Sequence, residues 1–292
     1  MNFKINKLRL FLPVIALLAT ACGNNTNTAE NLTENTQEEE SSPNPVRIDS
    51  TIWSMELDDV KVTWIRDNAI RRNNDLKLFG EVPQNIVDSL GIAEGIPSSM
   101  SAVLIQKDSM TILCDAGLGM PESLLIPSLN QIGLKTENIK LVYLTHLHPD
   151  HIGGMMANGE KVFPNAEVYI AKTEYDAWMN MTDNNQMQTA FAKMYQDNIK
   201  LFSFNDTLPA CVIPMDAHGH TPGHTVFQAG KALIIGDLMH GMLLQMAHPE
   251  FCASYDMNPE EAVKSRVKFI NYARENGLTL VGMHLPEPGF VK

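Results

Sequence analysis

The chain has 292 residues, of which 44% are hydrophobic, so it is long enough and apolar enough to bury a sizeable core. Its formal net charge is −12 at pH 7. Because the first 46 residues hold only three basic and five acidic side chains, most of this excess belongs to the rest of the chain. Such an acidic surface repels phosphate backbones, which argues against nucleic acid as a partner or substrate.

Residues 1–22 have the order of a secretory signal, because basic side chains precede an apolar run that is too short for a comfortable membrane span. The run closes on Leu-Ala-Thr-Ala-Cys-Gly, which resembles the lipobox of bacterial lipoproteins. The resemblance implies that Cys22 carries a lipid anchor and that the mature chain lies in the periplasm or on the cell surface. An ordinary cleaved signal is the alternative. The other three cysteines include no closely spaced pair, so no disulfide framework is predicted.

Residues 23–45 are predicted to form a disordered tether between this signal and the rest of the chain. The segment consists mainly of Asn, Thr, Glu and Ser, with two prolines. It holds too little apolar surface to offset the entropy lost on ordering. Residues 46–292 show neither a second linker nor a sequence repeat, so they are predicted to fold as one domain.

Short apolar runs after the tether predict eight β-strands. They are residues 60–65, 102–106, 111–114, 141–144, 167–171, 225–229, 232–235 and 278–282. Breaks of hairpin length join the second run to the third and the sixth to the seventh, which predicts two antiparallel ribbons. The clearest helix follows Asn258, an N-cap residue, has Pro259 in its first turn, and ends at Gly277. Strands and helices alternate irregularly, which predicts a layered α/β or α+β domain.

The strongest chemical signal follows the predicted strand at residues 141–144. His146, His148, Asp150 and His151 are four potential metal ligands within six residues, and a Gly-Gly pair then lets the backbone turn. Three of the nine histidines of the chain lie in this short loop. Packing them together without a cation would leave buried polar groups competing for partners, so a metal site is predicted here.

This loop resembles the His-x-His-x-Asp-His hallmark of the metallo-β-lactamase superfamily. The resemblance extends over nearly all of residues 46–292 and implies an αβ/βα sandwich, in which two mixed sheets are flanked by helices. In that family a preceding strand ends in an aspartate that braces the metal loop, and Asp115 ends a similar strand. The resemblance therefore implies a supporting role for Asp115. A turn or helix-capping aspartate is the alternative.

Three further segments resemble elements of the same family. The glycine-rich segment 217–225 implies His220 as a ligand, with His224 as a supporting residue and His218 as a loop residue or supporting partner. The strand that ends in Gly-Asp implies that Asp237 bridges two metals, and the segment after the last long strand supplies His284. By the family pattern, one metal is held by His146, His148 and His220, the other by Asp150, His151 and His284, and both by Asp237.

A pair of cations lowers the pKa of a bridging water, so the resemblance implies hydrolysis by a hydroxide nucleophile. Asp150 or Asp237 would carry a proton to the leaving group. The histidine-rich ligand set favours two Zn²⁺ ions, with Fe or Mn as alternatives. Several methionines near the motifs, among them Met155 and Met239, are expected to fill the core rather than to line a substrate pocket.

The segments around Asp237 and His284 resemble the branch that contains methyl parathion hydrolases and lactonases. This implies a small neutral or apolar ester or lactone as substrate, such as an acyl-homoserine lactone. His240 lies where some homoserine-lactone hydrolases carry a substrate-contacting tyrosine, so it is a candidate substrate contact. Glu287 replaces the aromatic residue of these relatives, which weakens the case for a phosphotriesterase.

Other functions remain open from the sequence. A thioesterase resembling glyoxalase II would need a carboxy-terminal helical extension, for which the sequence after His284 leaves no room. β-Lactam hydrolysis ranks lower, because the best-known β-lactamases place a cysteine at a metal position where this chain has none. A metal-binding surface lipoprotein without catalytic activity is the alternative from outside the enzymes.

Overall fold

A computed structural model describes residues 43–292. The predicted signal peptide, Cys22 and nearly all of the predicted tether lie outside the described residues. The strands are β1 (Val46–Arg47), β2 (Ile52–Leu57), β3 (Val60–Arg66), β4 (Arg72–Asn74), β5 (Ile96–Ser98), β6 (Ser101–Lys107), β7 (Met110–Cys114), β8 (Leu141–Tyr143), β9 (Met156–Ala157), β10 (Glu160–Lys161), β11 (Glu167–Ala171), β12 (Ile199–Phe202), β13 (Ile213–Asp216), β14 (Thr225–Ala229), β15 (Ala232–Ile234), β16 (Thr279–Val281) and β17 (Phe290–Val291).

Seven α-helices are present in the described part of the chain. They are α1 (Gln84–Leu90), α2 (Leu125–Gln131), α3 (Pro149–Ile152), α4 (Lys172–Met179), α5 (Gln186–Met194), α6 (Met242–Ala247) and α7 (Pro259–Asn276). Short 3₁₀ turns occupy Leu76–Phe79, Thr136–Asn138, Gly153–Met155 and Pro209–Cys211. Among these helices, none combines the length and the apolar character needed to cross a bilayer.

Two large mixed sheets form the centre of the domain. The larger has the order β1-β2-β3-β6-β7-β8-β11-β12, and the smaller has the order β13-β14-β15-β16-β17. The larger sheet is antiparallel up to β7 and parallel from β7 to β12, while the smaller is parallel only between β15 and β16. The strands β4 and β5 pair in a separate two-stranded ribbon.

The hydrophobic clusters show that the two sheets are stacked between helices. One cluster joins Ile105 and Tyr143 of the larger sheet to Phe227 and Val281 of the smaller sheet. On the outer face of the larger sheet, another cluster packs strands against α2, α4 and α5, and on the outer face of the smaller sheet a third packs strands against α7. Alternating side chains of each strand therefore serve two cores. The predicted αβ/βα sandwich is confirmed.

All eight predicted strands are present, and both predicted ribbons are antiparallel hairpins, β6-β7 and β14-β15. The predicted helix is α7, where the Asn258 side chain accepts a hydrogen bond from the Glu261 backbone and Gly277 takes the left-handed conformation. The sequence reading did not find α2, α4 and α5. These helices have no side-chain hydrogen bond at their N-caps, so packing against the larger sheet defines them rather than local capping.

Candidate metal centre

The metal loop, residues 145–154, follows the end of β8 and includes the short helix α3. His146 and His151 are fully buried, whereas His148 and Asp150 are partly exposed. The loop is pressed against the segment that follows β7, since a Cβ at Gly154 would lie 1.9 Å from the Ala116 carbonyl oxygen. Only glycine allows this approach, which holds the imidazole rings at the edge of the sheet.

One group of potential ligands joins the metal loop to the glycine-rich segment. His148 Nδ1 lies 3.0 Å from His146 Nε2 and 2.8 Å from His220 Nε2. The Oδ2 atom of Asp237 lies 3.7 Å from His146 Nε2 and 3.3 Å from His220 Nε2. Three imidazole nitrogens and one carboxylate oxygen therefore converge on one point, as a metal site requires.

A second group lies beside the first and shares one of its members. His284 Nε2 is 3.4 Å from Asp150 Oδ2 and 3.1 Å from Asp237 Oδ2. His151 Nε2 is 2.9 Å from Asp237 Oδ1 and 3.9 Å from Asp150 Oδ1. Because Asp237 belongs to both groups, a single carboxylate lies between two potential metal positions.

These residues fit a centre of two metal ions. His151 Nε2 and Asp237 Oδ1 are buried and lie 2.9 Å apart, yet among the residues that the structure describes neither forms a hydrogen bond, with each other or with a third group. Buried polar atoms are nearly always satisfied, so two orphaned atoms that face each other indicate a site built for cations. Imidazole nitrogens mixed with carboxylate oxygens form the donor set that zinc and neighbouring transition metals accept. The structure thus brings together all seven residues predicted as ligands.

The electrostatics of the potential histidine ligands differ. Burial lowers the pKa of His146 well below its usual value and that of His148 to about 3, whereas at His220 the carboxylates of Asp237 and Asp256 outweigh burial and raise the pKa. Burial acts in the same direction on His284, but the carboxylates of Asp237 and Asp150 outweigh it and raise the pKa of His284 to about 10. The same balance raises the pKa of His151, where Asp237, Asp115 and Asp150 contribute. In the metal-free protein, protons on these two rings offset the carboxylate charge.

Asp115 holds the metal loop in place through hydrogen bonds. Its Oδ1 accepts a hydrogen bond of 2.9 Å from the Thr145 backbone, and its Oδ2 accepts one of 2.8 Å from the Thr145 hydroxyl. The same Oδ2 lies 2.9 Å from His151 Nδ1. The carboxylate therefore fixes both the start of the loop and the ring orientation of one potential ligand, in the position that the sequence predicted.

His224 supports Asp237 through the backbone. Its Nε2 accepts a hydrogen bond of 3.0 Å from the Asp237 N–H, and its Nδ1 lies 3.2 Å from the Ala217 carbonyl oxygen. Burial lowers the pKa of His224 to about 3, so the ring stays neutral and keeps Nε2 as an acceptor. Gly236 has φ of 50°, and a Cβ there would lie 2.7 Å from His224 Nε2, so glycine is needed at this contact.

The remaining two histidines that the sequence singled out lie in different places. His218 is exposed and contacts Asp216 and Glu261 at the surface, so of the two roles that the sequence left open, loop residue or supporting partner, it has the first. His240 is buried, with Nε2 at 3.1 Å from Asp237 Oδ2 and its ring stacked on His284 at a centroid distance of 4.8 Å. The Nδ1 atom of His240 has no hydrogen-bond partner among the described residues.

Two buried carboxylates near the site were missed by sequence reasoning. Asp256 Oδ1 lies 2.9 Å from His220 Nδ1, and its other oxygen accepts a hydrogen bond of 3.3 Å from the buried Arg266. No local pattern distinguishes Asp256, because it lies in a loop 36 residues from its partner. Its position relative to His220 corresponds to that of Asp115 relative to His151.

Glu174 is the second of these carboxylates, and it joins the metal loop to the glycine-rich segment. It is fully buried and accepts hydrogen bonds of 3.0 Å from Leu147 N and 2.8 Å from Gly223 N. The Thr221 hydroxyl and the Trp178 indole also donate to it. An acid in the first turn of a helix is ordinary in a sequence, so nothing in the pattern distinguishes Glu174.

A cavity of about 390 Å³ opens above the two groups. Its lining residues are Arg72, Asn74, Met100, Leu118, His148, Pro149, Asp150, His220, Asp237, His240, Tyr255 and His284. Met155 and Met239 are instead buried in the cores, as expected, and among the described residues Met100 is the one methionine in this lining. A concave site with apolar walls and convergent polar groups is typical of a small-molecule site.

The fold and the paired His/Asp groups define a protein built to hold two metal ions at the edge of an αβ/βα sandwich. A family model described as "Metallo-beta-lactamase superfamily" matches residues 96–284, so the chain belongs to this superfamily.

The solved structures that resemble the chain include two hydrolases above 25% identity. AidC, a dizinc quorum-quenching lactonase in complex with the product N-hexanoyl-L-homoserine, is 28% identical, with a TM-score of 0.74 over 83% of this chain and 94% of that one. The hydrolase AbOPH of the beta lactamase superfamily is 26% identical, with a TM-score of 0.74 over 84% of this chain and 93% of that one.

A curated relative, the hydroxyacylglutathione hydrolase of Tolumonas auensis, is 32% identical over 136 residues, which is 47% of this chain. The match spans about half the length of that relative, 45% of its chain. The relatives are hydrolases of one superfamily, which confirms the predicted enzyme class of metal-dependent hydrolase.

Proposed function

We propose that this protein is a dinuclear zinc hydrolase that cleaves a small ester or lactone. The observation that carries the proposal is the position of Asp237, which belongs to both ligand groups and lies at the floor of the cavity. Zinc is supported by the mixed imidazole and carboxylate donors and by the dizinc description of AidC. A lactone is supported by the product named in that complex and by the apolar side chains of Met100, Leu118 and Pro149.

Two zinc ions held at this place would supply an activated water and polarise the scissile carbonyl group. We assign His146, His148 and His220 to one ion, Asp150, His151 and His284 to the other, and Asp237 to both. Asp115, Asp256 and His224 hold the rings and the bridging carboxylate in position through hydrogen bonds. Such contacts matter because a ligand that can rotate binds its metal less tightly.

Asp150 and Asp237 are the groups that carry a proton to the leaving oxygen. Burial alone would raise the pKa of Asp150, but the neighbouring His151 and His284 hold it below its usual range, so the carboxylate is ionised at neutral pH. The Asp150 side chain is 21% exposed, compared with 2% for Asp237. We therefore assign the exchange of protons with the cavity to Asp150.

His240 is the proposed substrate contact. It lines the cavity, and its ring is held by the stack on His284 and by the 3.1 Å contact with Asp237. The contact would be made by the part of the ring that lines the cavity, because Nδ1 is buried, although it has no hydrogen-bond partner among the described residues.

The proposal is tested with the full-length chain after zinc reconstitution. We expect close to two equivalents of zinc and hydrolysis of substrates from a panel of acyl-homoserine lactones and aryl esters, with activity lost after chelation. The panel also contains thioesters and phosphotriesters, because the curated relative is a hydroxyacylglutathione hydrolase. Stoichiometric zinc without turnover of any substrate would contradict the proposal and favour a metal-binding surface lipoprotein.

We also propose that Cys22 anchors the mature chain to a membrane, with the domain in the periplasm or at the cell surface. The proposal is supported only by the charged and apolar order of residues 1–22 and by the lipobox-like segment. Growth with a labelled fatty acid should label the wild-type chain and not the Cys22→Ser variant. Equal labelling of both, or recovery of both in the soluble fraction, would refute the anchor.

A further inference from the structure

One wall of the cavity is formed by a ribbon that belongs to neither large sheet. In this ribbon β4 pairs with β5, so that Arg72 lies opposite Ser98 and Asn74 lies opposite Ile96. The Asn74 amide donates a hydrogen bond of 2.7 Å to the His240 carbonyl oxygen, and the Ser98 hydroxyl donates one of 3.2 Å to the His284 carbonyl oxygen. The ribbon is thus held to the two segments that carry His240 and His284.

The alternation of side chains along β4 places Arg72 and Asn74 on one face, and both line the cavity. Asn73 lies on the opposite face and bonds to the Glu94 carbonyl oxygen. The Arg72 guanidinium donates a hydrogen bond of 3.1 Å to the side-chain oxygen of Asn74, which is itself buried. Because Arg72 is exposed, its guanidinium lies where the cavity opens to solvent.

The charge of Arg72 is not balanced by a carboxylate. Among the residues that the structure describes, no Asp or Glu lies within ion-pair distance of it, and no other Lys or Arg lines the cavity. Its neighbour Arg71 differs, because its guanidinium pairs with Glu287 at 2.5 Å. Guanidinium groups have five donors in a planar fork that matches a carboxylate, and Arg72 uses one of them within the protein.

We propose that Arg72, positioned by Asn74, is a subsite for a carboxylate at the end of the substrate remote from the bond that is cleaved. The substrate would then be an ester or lactone with an apolar body, suited to Met100 and Leu118, and an acidic terminus. This inference rests on the proposed hydrolase function. The net charge of the protein is negative, so its surface as a whole repels an anionic substrate. The unpaired Arg72 at the mouth of the cavity would attract the carboxylate locally.

A binding experiment tests the subsite without turnover. The zinc-loaded full-length protein is titrated calorimetrically with glutarate, adipate and pimelate and with the monoamide of each acid. Both members of a pair offer one carboxylate to the metals and differ only at the far end. We expect the best diacid to bind about tenfold more tightly than its monoamide, the size of one charge-assisted hydrogen bond.

The variant Arg72→Gln should remove this difference, and Arg71→Gln should retain it, because the Arg71 side chain lies outside the cavity and is paired with Glu287. Equal binding of diacid and monoamide by the wild-type protein would overturn the subsite. A loss of the difference in Arg71→Gln as large as that in Arg72→Gln would also overturn it, since a general charge effect would then explain the preference.

Kinetics distinguish this inference from the proposed function. Mono-4-nitrophenyl adipate and its methyl ester share the scissile bond and differ in the remote group. In Arg72→Gln we expect KM for the acidic ester to rise about tenfold with little change in kcat, and both constants for the neutral ester to stay unchanged. Turnover of both esters with equal effects of Arg72→Gln would overturn the subsite alone. A preserved diacid preference without turnover of either ester or of any substrate in the lactone and ester panel would support the subsite and overturn the hydrolase function.

Discussion

The floor and the mouth of the cavity are built in different ways. The floor residues follow strands of the two large sheets, and buried partners such as Asp115, His224 and Asp256 hold them in place. The mouth is formed by the β4-β5 ribbon and by loop residues such as Tyr255, which is 55% exposed. The comparison indicates that rigid sheet edges hold the groups that perform chemistry, whereas substrate choice depends on segments outside the sheets.

The largest effect is expected at the floor, from Asp237→Ala. Removal of the carboxylate shared by both groups should lower turnover by about a thousandfold or more and reduce bound zinc below two equivalents. Hydrolysis assays and elemental analysis measure the two effects, and circular dichroism checks the fold. The matched control is His218→Ala, an exposed loop histidine, which should change turnover less than about twofold. Full activity of Asp237→Ala would refute the bridging assignment.

Proton release on metal binding tests the electrostatics of the floor alone. Carboxylates raise the pKa of His284 to about 10 and that of His151 above its usual value, so both rings carry a proton in the metal-free protein at neutral pH. Each proton must leave before its nitrogen binds metal, so zinc affinity falls as the pH falls, by up to about tenfold per pH unit for each proton. Calorimetry in buffers of different ionisation enthalpy should detect the release at about pH 7. Enthalpies independent of buffer would contradict these protonation states.

A smaller effect is expected one contact further from the metals. Asp256→Asn keeps the shape of the side chain but weakens its hold on His220 Nδ1, and zinc affinity should fall about 10- to 100-fold. Competition with a fluorescent chelator gives the affinity. Asp216→Asn is the control, because among the described residues that carboxylate bonds to the exposed His218 alone, and it lies outside the cavity. If zinc affinity falls equally in both variants, the hydrogen bond between Asp256 and His220 is not the cause.

The smallest effect is expected at the mouth, from Met100→Ala. Loss of apolar contact should raise KM for a lactone with a long acyl chain about three- to tenfold, with the zinc content unchanged. Steady-state kinetics over a series of chain lengths measures it. Met120→Ala serves as control, since Met120 is 47% exposed and does not line this cavity. A loss of zinc in Met100→Ala would contradict the comparison, because a residue of the mouth would then also support the metal site.

The sequence predicted the floor far better than the mouth, and the reason is physical. The segments of His146, Asp237 and His284 follow buried strands and that of His220 precedes one, and their resemblance to elements of the superfamily indicated both the chemistry and its position. Arg72, Asn74 and Asp256 have no such pattern, because their roles arise from contacts with residues far away in the chain, such as the bond from Asn74 to His240 across 166 residues. Such long-range contacts are decided by tertiary packing rather than by local sequence.

The apolar runs and one strongly capped helix predicted only a layered α/β or α+β domain, and the αβ/βα sandwich was implied by the resemblance to the metallo-β-lactamase superfamily. All described α-helices except α7 were missed, and so were the strands β1, β2, β4, β5, β9, β10, β12, β13 and β17. In β12 only Phe202 is buried, so its edge position leaves a weak apolar pattern. The short helices rely on contacts with the larger sheet, as in α5, where Phe191 is fully buried in the cluster that covers that sheet.

The contact between Gly154 and Ala116 sets a limit on how this enzyme can diversify. The Gly154 N–H donates a hydrogen bond to the Gly117 carbonyl oxygen, and the Ala116 N–H donates one to the His151 carbonyl oxygen. Backbone hydrogen bonds thus join the metal loop directly to the segment that follows β7. Any larger side chain at Gly154 would force them apart and carry His151 away from Asp237. Laboratory evolution toward new substrates should therefore accumulate changes in the β4-β5 ribbon and leave this glycine untouched.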